Sequence, residues 1–333
     1  MMGKVTIKDV AREAGVSIST VSNALNGVDV LLPDTKAHIL AVAERMHYIP
    51  NLNGRNLKAR AMKVIGLFVT YMGGPYMGAL TDSAARQCQE AGYELNVFVT
   101  GQNSSIMANL LGHRVDGAVI VNSSLSKQQE EELKAAEIPV VYLNREIEGE
   151  YQAGVFFDSY KAGQMAAECF LKKGLHSLGL VEGPDNYDSR ERSRGFRDVL
   201  AMAGLPLKEE FVWQGGFSRE KAYSAVTLFL QKTENGKQER DLPQAVFAAN
   251  DQSAIGCLEA FLQAGIAVPD TVKVLGCDDI ELGRYIKPAL TTIRTNFEEQ
   301  GLMAVKCLLS MLQGESRGRM TRLSCMLVER ESV

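Results

Sequence analysis

Residues 6–26 read TIKDVAREAGVSISTVSNALN and predict two short helices joined by a tight turn. Thr6 can cap the first helix, and Asp9 stands three residues later, where the partner residue of a capping box belongs. Apolar residues then recur at i, i+3, i+4 and i+7, so they share one helical face. Gly15 can adopt the left-handed conformation that ends a helix, and Ser17 can cap the second helix.

The second helix has an outward face that is free to contact a partner. Each helix is only about two or three turns long, so the pair is stable only through mutual packing. A third helix is expected to begin at Pro33, which completes a three-helix head. This order is typical of a helix-turn-helix DNA reader, although an ordinary αα-hairpin shows the same pattern. The outward side chains are Ile18, Ser19, Thr20, Ser22 and Asn23.

The charge of the chain is divided unevenly between its start and the rest. The first 63 residues hold nine Lys and Arg against five Asp and Glu, whereas the remaining 270 hold 27 against 35. The chain as a whole carries a formal net charge of −4. A basic first fifth on an acidic body favours a phosphate-binding head over the αα-hairpin alternative.

Length and composition limit the class of protein. At 333 residues the chain is too long for one ordinary core, so two or three domains are expected. No stretch is apolar for ~18 residues, and the start lacks an apolar signal core, so we expect a cytoplasmic protein without a membrane span. The six cysteines show no CxxC spacing and are expected to be buried thiols. No cofactor or metal site is predicted.

Beyond residue 63, short apolar runs alternate with amphipathic helical stretches. This alternation predicts an α/β fold with parallel sheets and helices on both faces. Eight or more strands over 270 residues fit two such sheets better than one. The predicted strands are 64–69, 93–99, 118–121, 140–143, 154–157, 177–181, 245–248 and 272–275.

Polar and aromatic side chains follow most of these strands. In doubly wound sheets ligands bind beyond the carboxyl ends of the strands, so these side chains are expected to converge on one cleft. Carboxylates, amides and rings together suit a hydroxyl-rich small molecule. Asp251 is interpreted as a helix cap, and the run Glu130–Glu131–Glu132 as a solvated helix start.

The chain resembles the lactose-repressor/galactose-repressor family of bacterial transcription factors along essentially its whole length. The head carries the longest match, and shorter motifs follow in the family's order. The matching motifs are VTIKDVAREAGVSISTVSNALNG (5–27), YIPN (48–51), LK (57–58), VIGL (64–67), RVDG (114–117), ND (250–251), PALTTI (288–293) and VERESV (328–333).

The resemblance implies a small all-α helix-turn-helix head on a body similar to periplasmic binding proteins. The head spans residues 1–50, a hinge helix spans 51–62, and the effector-binding and dimerisation body spans 63–333. The body divides into an N-subdomain of about 63–160 and 293–322, and a C-subdomain of about 161–292 and 323–333.

The resemblance also assigns DNA contacts. The second helix would lie in the major groove, with Ile18, Ser19 and Asn23 reading bases. Leu57 would wedge into the minor groove at the centre of a palindromic operator, followed by Lys58. Phosphate contacts would come from Thr6, Ser17, Ser22, Asn26 and Thr35. The predicted DNA-binding set is completed by Thr20, Tyr48, Asn51 and Gly54.

For the body, the resemblance implies an effector between the subdomains of a homodimer. The predicted effector-binding residues are Tyr76, Asn144, Arg145, Asp158, Asp188, Arg192, Phe217, Asn250 and Asp278. A sugar is the expected effector and a purine or nucleoside the alternative.

The predicted function is a DNA-binding transcriptional regulator, acting as a repressor. A solute-binding protein of the transport type is disfavoured by the basic head. An enzyme is disfavoured because no activated serine, Cys–His pair or metal-ligating cluster is evident in the sequence.

Overall fold

The computed structural model describes residues 5–25, 31–48, 62–100, 103–112, 114–121, 125–234 and 242–333. The chain forms two compact units, Met1–Met62 and Lys63–Val333. Within the described residues no helix is long and apolar enough to cross a membrane. Most of the predicted hinge helix lies outside the described residues, as do five predicted DNA-binding residues: Asn26, Asn51, Gly54, Leu57 and Lys58.

The described residues of the first unit form three helices packed around a small apolar core. The helices are α1 (Ile7–Ala14), α2 (Ile18–Leu25) and α3 (Pro33–Arg45). Each contributes buried aliphatic residues to a common cluster. The most buried of these are Val10, Ala11, Val21, Ala24, Ile39, Val42 and Ala43.

The predicted start and end of α1 and the predicted start of α2 are confirmed. The Asp9 carboxylate accepts hydrogen bonds from the Thr6 backbone N at 3.0 Å and from its Oγ1 at 2.6 Å. Gly15 ends α1 at φ 66°. Ser17 Oγ accepts a hydrogen bond from the Thr20 backbone N at 3.1 Å and so caps α2.

The described residues of the second unit form two predominantly parallel sheets. The first is seven-stranded, in the order β12-β6-β4-β3-β1-β2, with β5 added antiparallel to β6. Its strands are β1 (Val64–Val69), β2 (Glu94–Val99), β3 (Gly117–Val121), β4 (Val140–Leu143), β5 (Glu148–Gly149), β6 (Gln152–Phe157) and β12 (Met320–Leu323).

The second sheet is six-stranded, in the order β13-β11-β10-β9-β7-β8. Only the pairing of its β11 with β13 is antiparallel among the strand pairs described for it. Its strands are β7 (Leu178–Glu182), β8 (Val212–Gln214), β9 (Ala245–Ala248), β10 (Lys273–Asp278), β11 (Thr291–Thr295) and β13 (Cys325–Val328).

Helices cover the faces of both sheets, as expected for parallel strands joined by crossovers. Those of the first sheet are α4 (Gly74–Glu90), α5 (Asn103–Leu111), α6 (Lys127–Ala135) and α12 (Phe297–Leu312). Those of the second sheet are α7 (Ser159–Lys172), α8 (Tyr187–Met202), α9 (Arg219–Glu234), α10 (Asp251–Gln263) and the short α11 (Leu282–Tyr285).

The chain passes between the two sheets more than once. It crosses from β6 to β7, returns from β11 to β12, and crosses again from β12 to β13 with only Ser324 between those strands. After β13 the chain stays tied to the second sheet, because the buried Ser332 Oγ donates to the Val274 carbonyl at 2.6 Å. Each sheet is therefore completed by a strand from residues 320–328.

The predicted fold class is confirmed, and all eight predicted strands are present with ends shifted by a few residues. Strands β5, β8, β11, β12 and β13 were not predicted from the sequence. The strand β11 was missed because it contains Thr291, Thr292 and Thr295 in place of an apolar run. All three threonines are nevertheless buried, since a β-branched hydroxyl can be satisfied inside a sheet.

Candidate functional site

A cavity of about 450 Å³ lies between the carboxyl ends of the strands of the two sheets. This volume is within the range of small-molecule sites. The first sheet and its helices contribute Tyr71, Gly73, Gly74, Pro75, Tyr76, Asn144, Phe157 and Phe297. The second sheet and its helices contribute Pro184, Asn186, Asp188, Arg192, Gly216, Phe217, Asn250, Gln252, Asp278 and Ile280.

Arg192, on α8, is the buried cation of this cavity and is only 3% exposed. Its Nη1 donates to the Ala249 carbonyl at 2.6 Å and lies 3.3 Å from Asp278 Oδ1. The guanidinium carbon lies 5.9 Å from the centre of the Phe217 ring. The guanidinium is therefore held in place by the strand ends and by a carboxylate before any ligand arrives.

Asp278 ends β10 and faces Arg192. Its φ of 129° and the φ of 59° at Asp279 turn the chain sharply, so the two adjacent carboxylates have different partners. Thr295 Oγ1 donates to Asp278 Oδ1 at 3.3 Å. Burial raises the pKa of Asp278 to about 7, although the charge of Arg192 opposes the rise.

Asp279 lies among arginines. Its carboxylate bonds to Arg330 and Arg284 and lies 2.7 Å from Arg294 Nε. Burial acts to raise the pKa of Asp279, but Arg330 and Arg294 outweigh it and hold the pKa below its ordinary value. Asp279 does not line the cavity and serves to anchor the end of the second sheet.

Asp188 is a second buried carboxylate of the cavity, in the first turn of α8. It accepts a hydrogen bond from Ser159 Oγ at 2.7 Å. Asn186 caps the same helix by accepting from the Ser189 backbone N at 2.9 Å. Burial raises the pKa of Asp188, and Arg192 and Ser159 oppose the rise.

The first-sheet wall is organised by three neutral polar side chains. Tyr76 OH donates to Gln300 Oε1 at 2.9 Å, and Gln300 Nε2 donates to Asn144 Oδ1 at 2.8 Å. Asn144 Nδ2 lies 3.4 Å from Tyr76 OH, which closes the ring of contacts. Gln300 is fully buried and was missed in the sequence analysis, because it lies one turn into α12, behind the missed strand β11.

Aromatic rings complete this wall. The Phe297 ring meets Tyr76 edge-on, with centroids 4.9 Å apart, and Phe157 at 6.1 Å. Phe157 and Phe297 were not among the predicted site residues. Phe157 ends a predicted strand and Phe297 follows β11, so neither carried a signal beyond hydrophobicity.

Asn250 and Phe217 are coupled on the opposite wall. Asn250 Nδ2 donates to the Phe217 carbonyl at 3.3 Å, and its Oδ1 accepts from the Ser253 backbone N at 2.9 Å, which caps α10. Phe217 has a φ of 60°. Gly183 is required beside it, because a Cβ there would lie 2.2 Å from the Phe217 ring.

The interpretation of Asp251 as the cap of this helix is wrong, because Asn250 occupies that position. Asp251 is instead fully buried, where it accepts from Thr292 Oγ1 at 2.5 Å and from the Ile280 backbone N at 2.9 Å. Burial raises the pKa of Asp251 to about 6. The side chain joins α10 to β11 below the cavity.

Two predicted effector residues do not line the cavity. Arg145 pairs with Glu130 and lies over the Tyr142 ring at 4.9 Å. Asp158 caps α7 by accepting from the Lys161 backbone N at 3.1 Å. Glu130 lies in the first turn of α6 as predicted but is buried, so its assignment as solvated is wrong, whereas Glu131 and Glu132 are exposed. The other seven predicted effector residues are brought together in the cavity.

A separate contact joins the two halves of the body beside the crossovers. Tyr187 OH, on α8, donates to Glu146 Oε1 at 2.8 Å. The Tyr187 ring meets Phe156 edge-on at 5.7 Å. Arg322 lies 3.9 Å from both Glu146 and Asp158. This cluster connects the first and second sheets without lining the cavity.

In the head, α2 presents the predicted reading face. Ile18 is 44% exposed, Ser19 is also exposed, and Thr20, Ser22 and Asn23 are partly buried. Of the remaining described DNA-contact candidates, Thr6 and Ser17 are exposed, Thr35 is partly buried, and Tyr48 packs against the head core. An exposed apolar residue at the start of the helix suits contact with a thymine methyl group.

Two family patterns match the chain. Residues 6–51 match the bacterial regulatory proteins of the lacI family, and residues 167–333 match the periplasmic binding protein-like domain. The HTH-type transcriptional repressor PurR of Photorhabdus laumondii is 33% identical over 98% of this chain and 96% of its own length.

Solved structures agree in fold. The regulator CelR in complex with cellobiose is 25% identical, with a TM-score of 0.73 over 99% of this chain and all of that one. A LacI family regulator from Enterococcus faecium with bound ribose is 26% identical, with a TM-score of 0.71 over 81% of this chain and 98% of its own. The Lac repressor dimer bound to operator and the anti-inducer ONPF is 24% identical, with a TM-score of 0.82 over 99% of both chains.

Proposed function

Because the chain belongs to the LacI family of bacterial regulatory proteins, we propose that it is a repressor whose affinity for operator DNA is controlled by a sugar bound between the two sheets. Membership makes it a DNA-binding transcriptional repressor. The sugar, and the residues that hold it, are the proposed part. The proposal rests on one observation, the convergence of Asp188, Arg192, Asn250 and Asp278 opposite an aromatic wall.

This arrangement suits a sugar for a chemical reason. Carboxylates, an amide and a guanidinium can hydrogen-bond adjacent hydroxyl groups, whereas the rings of Tyr76, Phe217 and Phe297 can cover the C–H face of a pyranose or furanose. Two relatives of known structure, CelR and the regulator from Enterococcus faecium, hold cellobiose and ribose respectively.

Control of DNA binding follows from the position of the cavity between two sheets. A ligand that contacts both walls favours one relative arrangement of the sheets over another. If operator DNA favours one of those arrangements, ligand and DNA affect each other's affinity by the same factor. We propose that a cytoplasmic homodimer presents two heads to a palindromic operator, with Ile18, Ser19 and Asn23 reading bases in each half-site.

A purine or nucleoside is the second candidate effector, favoured by one observation. Tyr71, Tyr76 and Phe217 line the cavity and can stack on a flat heterocycle, and Asn144 and Asn250 can pair with its edge. A solute-binding role without DNA is less well supported, because residues 6–51 match the lacI-family head. We propose no catalytic activity.

The effector-controlled function is tested with the full chain and selected DNA. An operator is first selected from a random duplex library, and its affinity is then measured by fluorescence anisotropy with cellobiose, ribose, galactose, adenine or guanosine present. We expect at least one sugar to change the operator affinity between about 5- and 150-fold, the usual range of allosteric coupling. A change with the purines alone would support the second candidate, and no selectable operator would contradict both.

A variant of the head separates DNA binding from effector binding. Leu57 is proposed to wedge between bases, so Leu57→Ala is expected to weaken operator affinity roughly tenfold or more, since each 1.4 kcal/mol of lost binding is a factor of ten. Thermal stabilisation by the effector should remain as in the wild type. Unchanged operator affinity in a gel-shift titration would remove the wedge role from Leu57.

A further inference from the structure

The charges that line the cavity are unequal in number. Among the described lining residues, the acidic ones are Asp188 and Asp278, and the basic one is Arg192. All three are buried or nearly so, with side-chain exposures of 4% for Arg192 and 14% for Asp278. A ligand therefore enters a desolvated space that already has more carboxylates than cations, and charges interact strongly there.

The positive charge of Arg192 is already balanced by Asp278, although its buried Nε has no hydrogen-bond partner among the described residues. Its Nη1 donates to the Ala249 carbonyl and faces Asp278, at 2.6 and 3.3 Å respectively. An anionic ligand that took this guanidinium would leave Asp278 buried without its counter-charge. Breaking a buried pair in this way is strongly unfavourable.

Neighbouring cations do not correct the imbalance. Arg145 forms an ion pair with Glu130. Lys221 lies beside Gly216 of the cavity lining. A Cβ added to Gly216 would lie 3.6 Å from Lys221 Nζ. Lys221 is exposed, so water and salt screen its charge. Behind Asp278 lies another buried acid, Asp251, which adds to the negative field.

The carboxylates themselves show how unfavourable further negative charge would be. Burial raises the pKa of Asp188 and raises that of Asp278 to about 7, and each of Asp251 and Asp188 pushes the pKa of Asp278 further in this direction. A hydroxyl or N–H group of a neutral ligand can donate to these carboxylates, whereas another carboxylate or a phosphate repels them.

We infer that the cavity selects an uncharged ligand rich in O–H or N–H donors, that it rejects the carboxylated and phosphorylated forms of the same ligand, and that Asp188 determines this selectivity. The inference rests on the proposed function and narrows it. Asp188 is the selective residue because its position is fixed by Ser159 at 2.7 Å and because, unlike Asp278, it has no ion pair with Arg192 within 4 Å. The remaining polar wall, formed by Tyr76 and Asn144, is neutral and does not discriminate by charge.

The test compares matched ligands on the full-length protein by thermal shift and calorimetry. The probes are galactose, galacturonate and galactose 6-phosphate; ribose and ribose 5-phosphate; and adenosine and adenosine monophosphate. In the wild type we expect the neutral member of at least one set to bind at least ~10-fold more tightly than its charged counterparts, because like-charge contacts are costly when desolvated. A charged member that binds as well as or better than its neutral counterpart overturns the inference.

Two variants assign the selectivity to Asp188. Asp188→Asn keeps an oxygen that can accept from Ser159 and removes the charge. The ratio of the affinities for the neutral and the charged probes should therefore fall by roughly tenfold. Asp185→Asn is the matched control, because it removes the same charge from a side chain that is 86% exposed and outside the cavity lining. Asp185→Asn should leave the ratio of the two affinities unchanged. An equal ratio in Asp188→Asn and the wild type overturns the role of Asp188.

Operator binding distinguishes the possible failures. If a charged probe binds at least as tightly as its neutral counterpart and changes operator affinity, the inference is overturned and the proposed function stands. If neither neutral nor charged probes bind while operator binding persists, the inference and the effector part of the proposed function both fail.

Discussion

The two walls of the cavity differ in the kind of side chain that each presents. The wall from the first sheet is aromatic and neutral, and its polar groups Tyr76, Asn144 and Gln300 bond to one another. The wall from the second sheet carries the charges, at Asp188, Arg192 and Asp278. The polar groups of the neutral wall already have hydrogen-bond partners, so this wall offers a ligand mainly a surface to pack against. The charged wall has more hydrogen-bond acceptors than the protein itself uses, so it offers a ligand polar contacts.

This difference indicates how a ligand could favour one arrangement of the body. A ligand held only by the charged wall would leave the two sheets independent of each other. A ligand that also packs on Phe297 and Tyr76 links them, so its binding energy depends on how the sheets are placed. In the proposed function, coupling of the ligand to the head therefore requires both walls, and each wall can be weakened separately.

The largest expected effect comes from the charged wall. Asp278→Ala removes the carboxylate that faces Arg192 and leaves a buried cation uncompensated. We expect ligand-induced thermal stabilisation to disappear with any sugar that stabilises the wild type. Because the φ of 129° at this position strains alanine, Asp278→Asn is the second variant and should show the same loss with a smaller change in folding stability. An unchanged thermal shift in both variants would exclude Asp278 from the site.

A smaller effect is expected from the neutral wall. Tyr76→Phe keeps the ring against Phe297 but removes the hydroxyl that bonds to Gln300. Loss of one buried hydrogen bond should lower the free energy of unfolding by about 1–3 kcal/mol. Ligand affinity should fall less than in Asp278→Ala, as measured by calorimetry. A loss of affinity as large as in Asp278→Ala would show that the two walls do not differ as described.

The smallest effect is a change in the pH dependence of stability. In the folded protein the pKa of Asp278 is raised to about 7 and that of Asp251 to about 6, above the ordinary 3.8. Both carboxyl groups therefore stay protonated to a higher pH than in the unfolded chain. The stabilisation that comes from protonating these two carboxyl groups is fully present below pH ~4 and is lost as the pH rises through their folded-state pKa values. In Asp278→Asn the urea midpoint should fall less steeply between pH 4 and 7 than in the wild type.

The control for this measurement is Asp185→Asn, whose exposed side chain should leave the slope unchanged. The slope should not vanish in Asp278→Asn, because Asp251 titrates in the same direction. A slope equal to that of the wild type would show that the pKa of Asp278 is not raised in the folded protein.

The parts of the fold that could be predicted from sequence are those with a local signal. Thr6, Gly15 and Ser17 determine the ends of short helices through bonds within three or four residues, and the predictions there are confirmed. The apolar strands in the interior of the two sheets were equally clear. The threonine-rich β11 and the edge strands β12 and β13 were missed, because their burial depends on strands distant in sequence.

The same limit applies to the cavity. Arg192, Asn250 and Asp278 could be proposed because they follow strands and match the family. Arg145 follows a strand as well, but its long side chain turns to Glu130, a partner that no local pattern indicates. Phe297 reaches the cavity from the start of α12, and Gln300 on the same helix supports the lining residues Tyr76 and Asn144 from behind. The position of α12 depends on β11, which was not predicted.

The adjacent strands β12 and β13 have a consequence for how the protein forms during synthesis. A chain that ends before residue 320 lacks an edge strand in both sheets. It also lacks the hydrogen bond from Ser332 to Val274. The head emerges from the ribosome before the body, yet neither sheet is complete until residues 320–328 have followed. A nonsense mutation near residue 320 would thus yield a reading head joined to two unfinished sheets with open edges, a form prone to aggregation rather than to regulation.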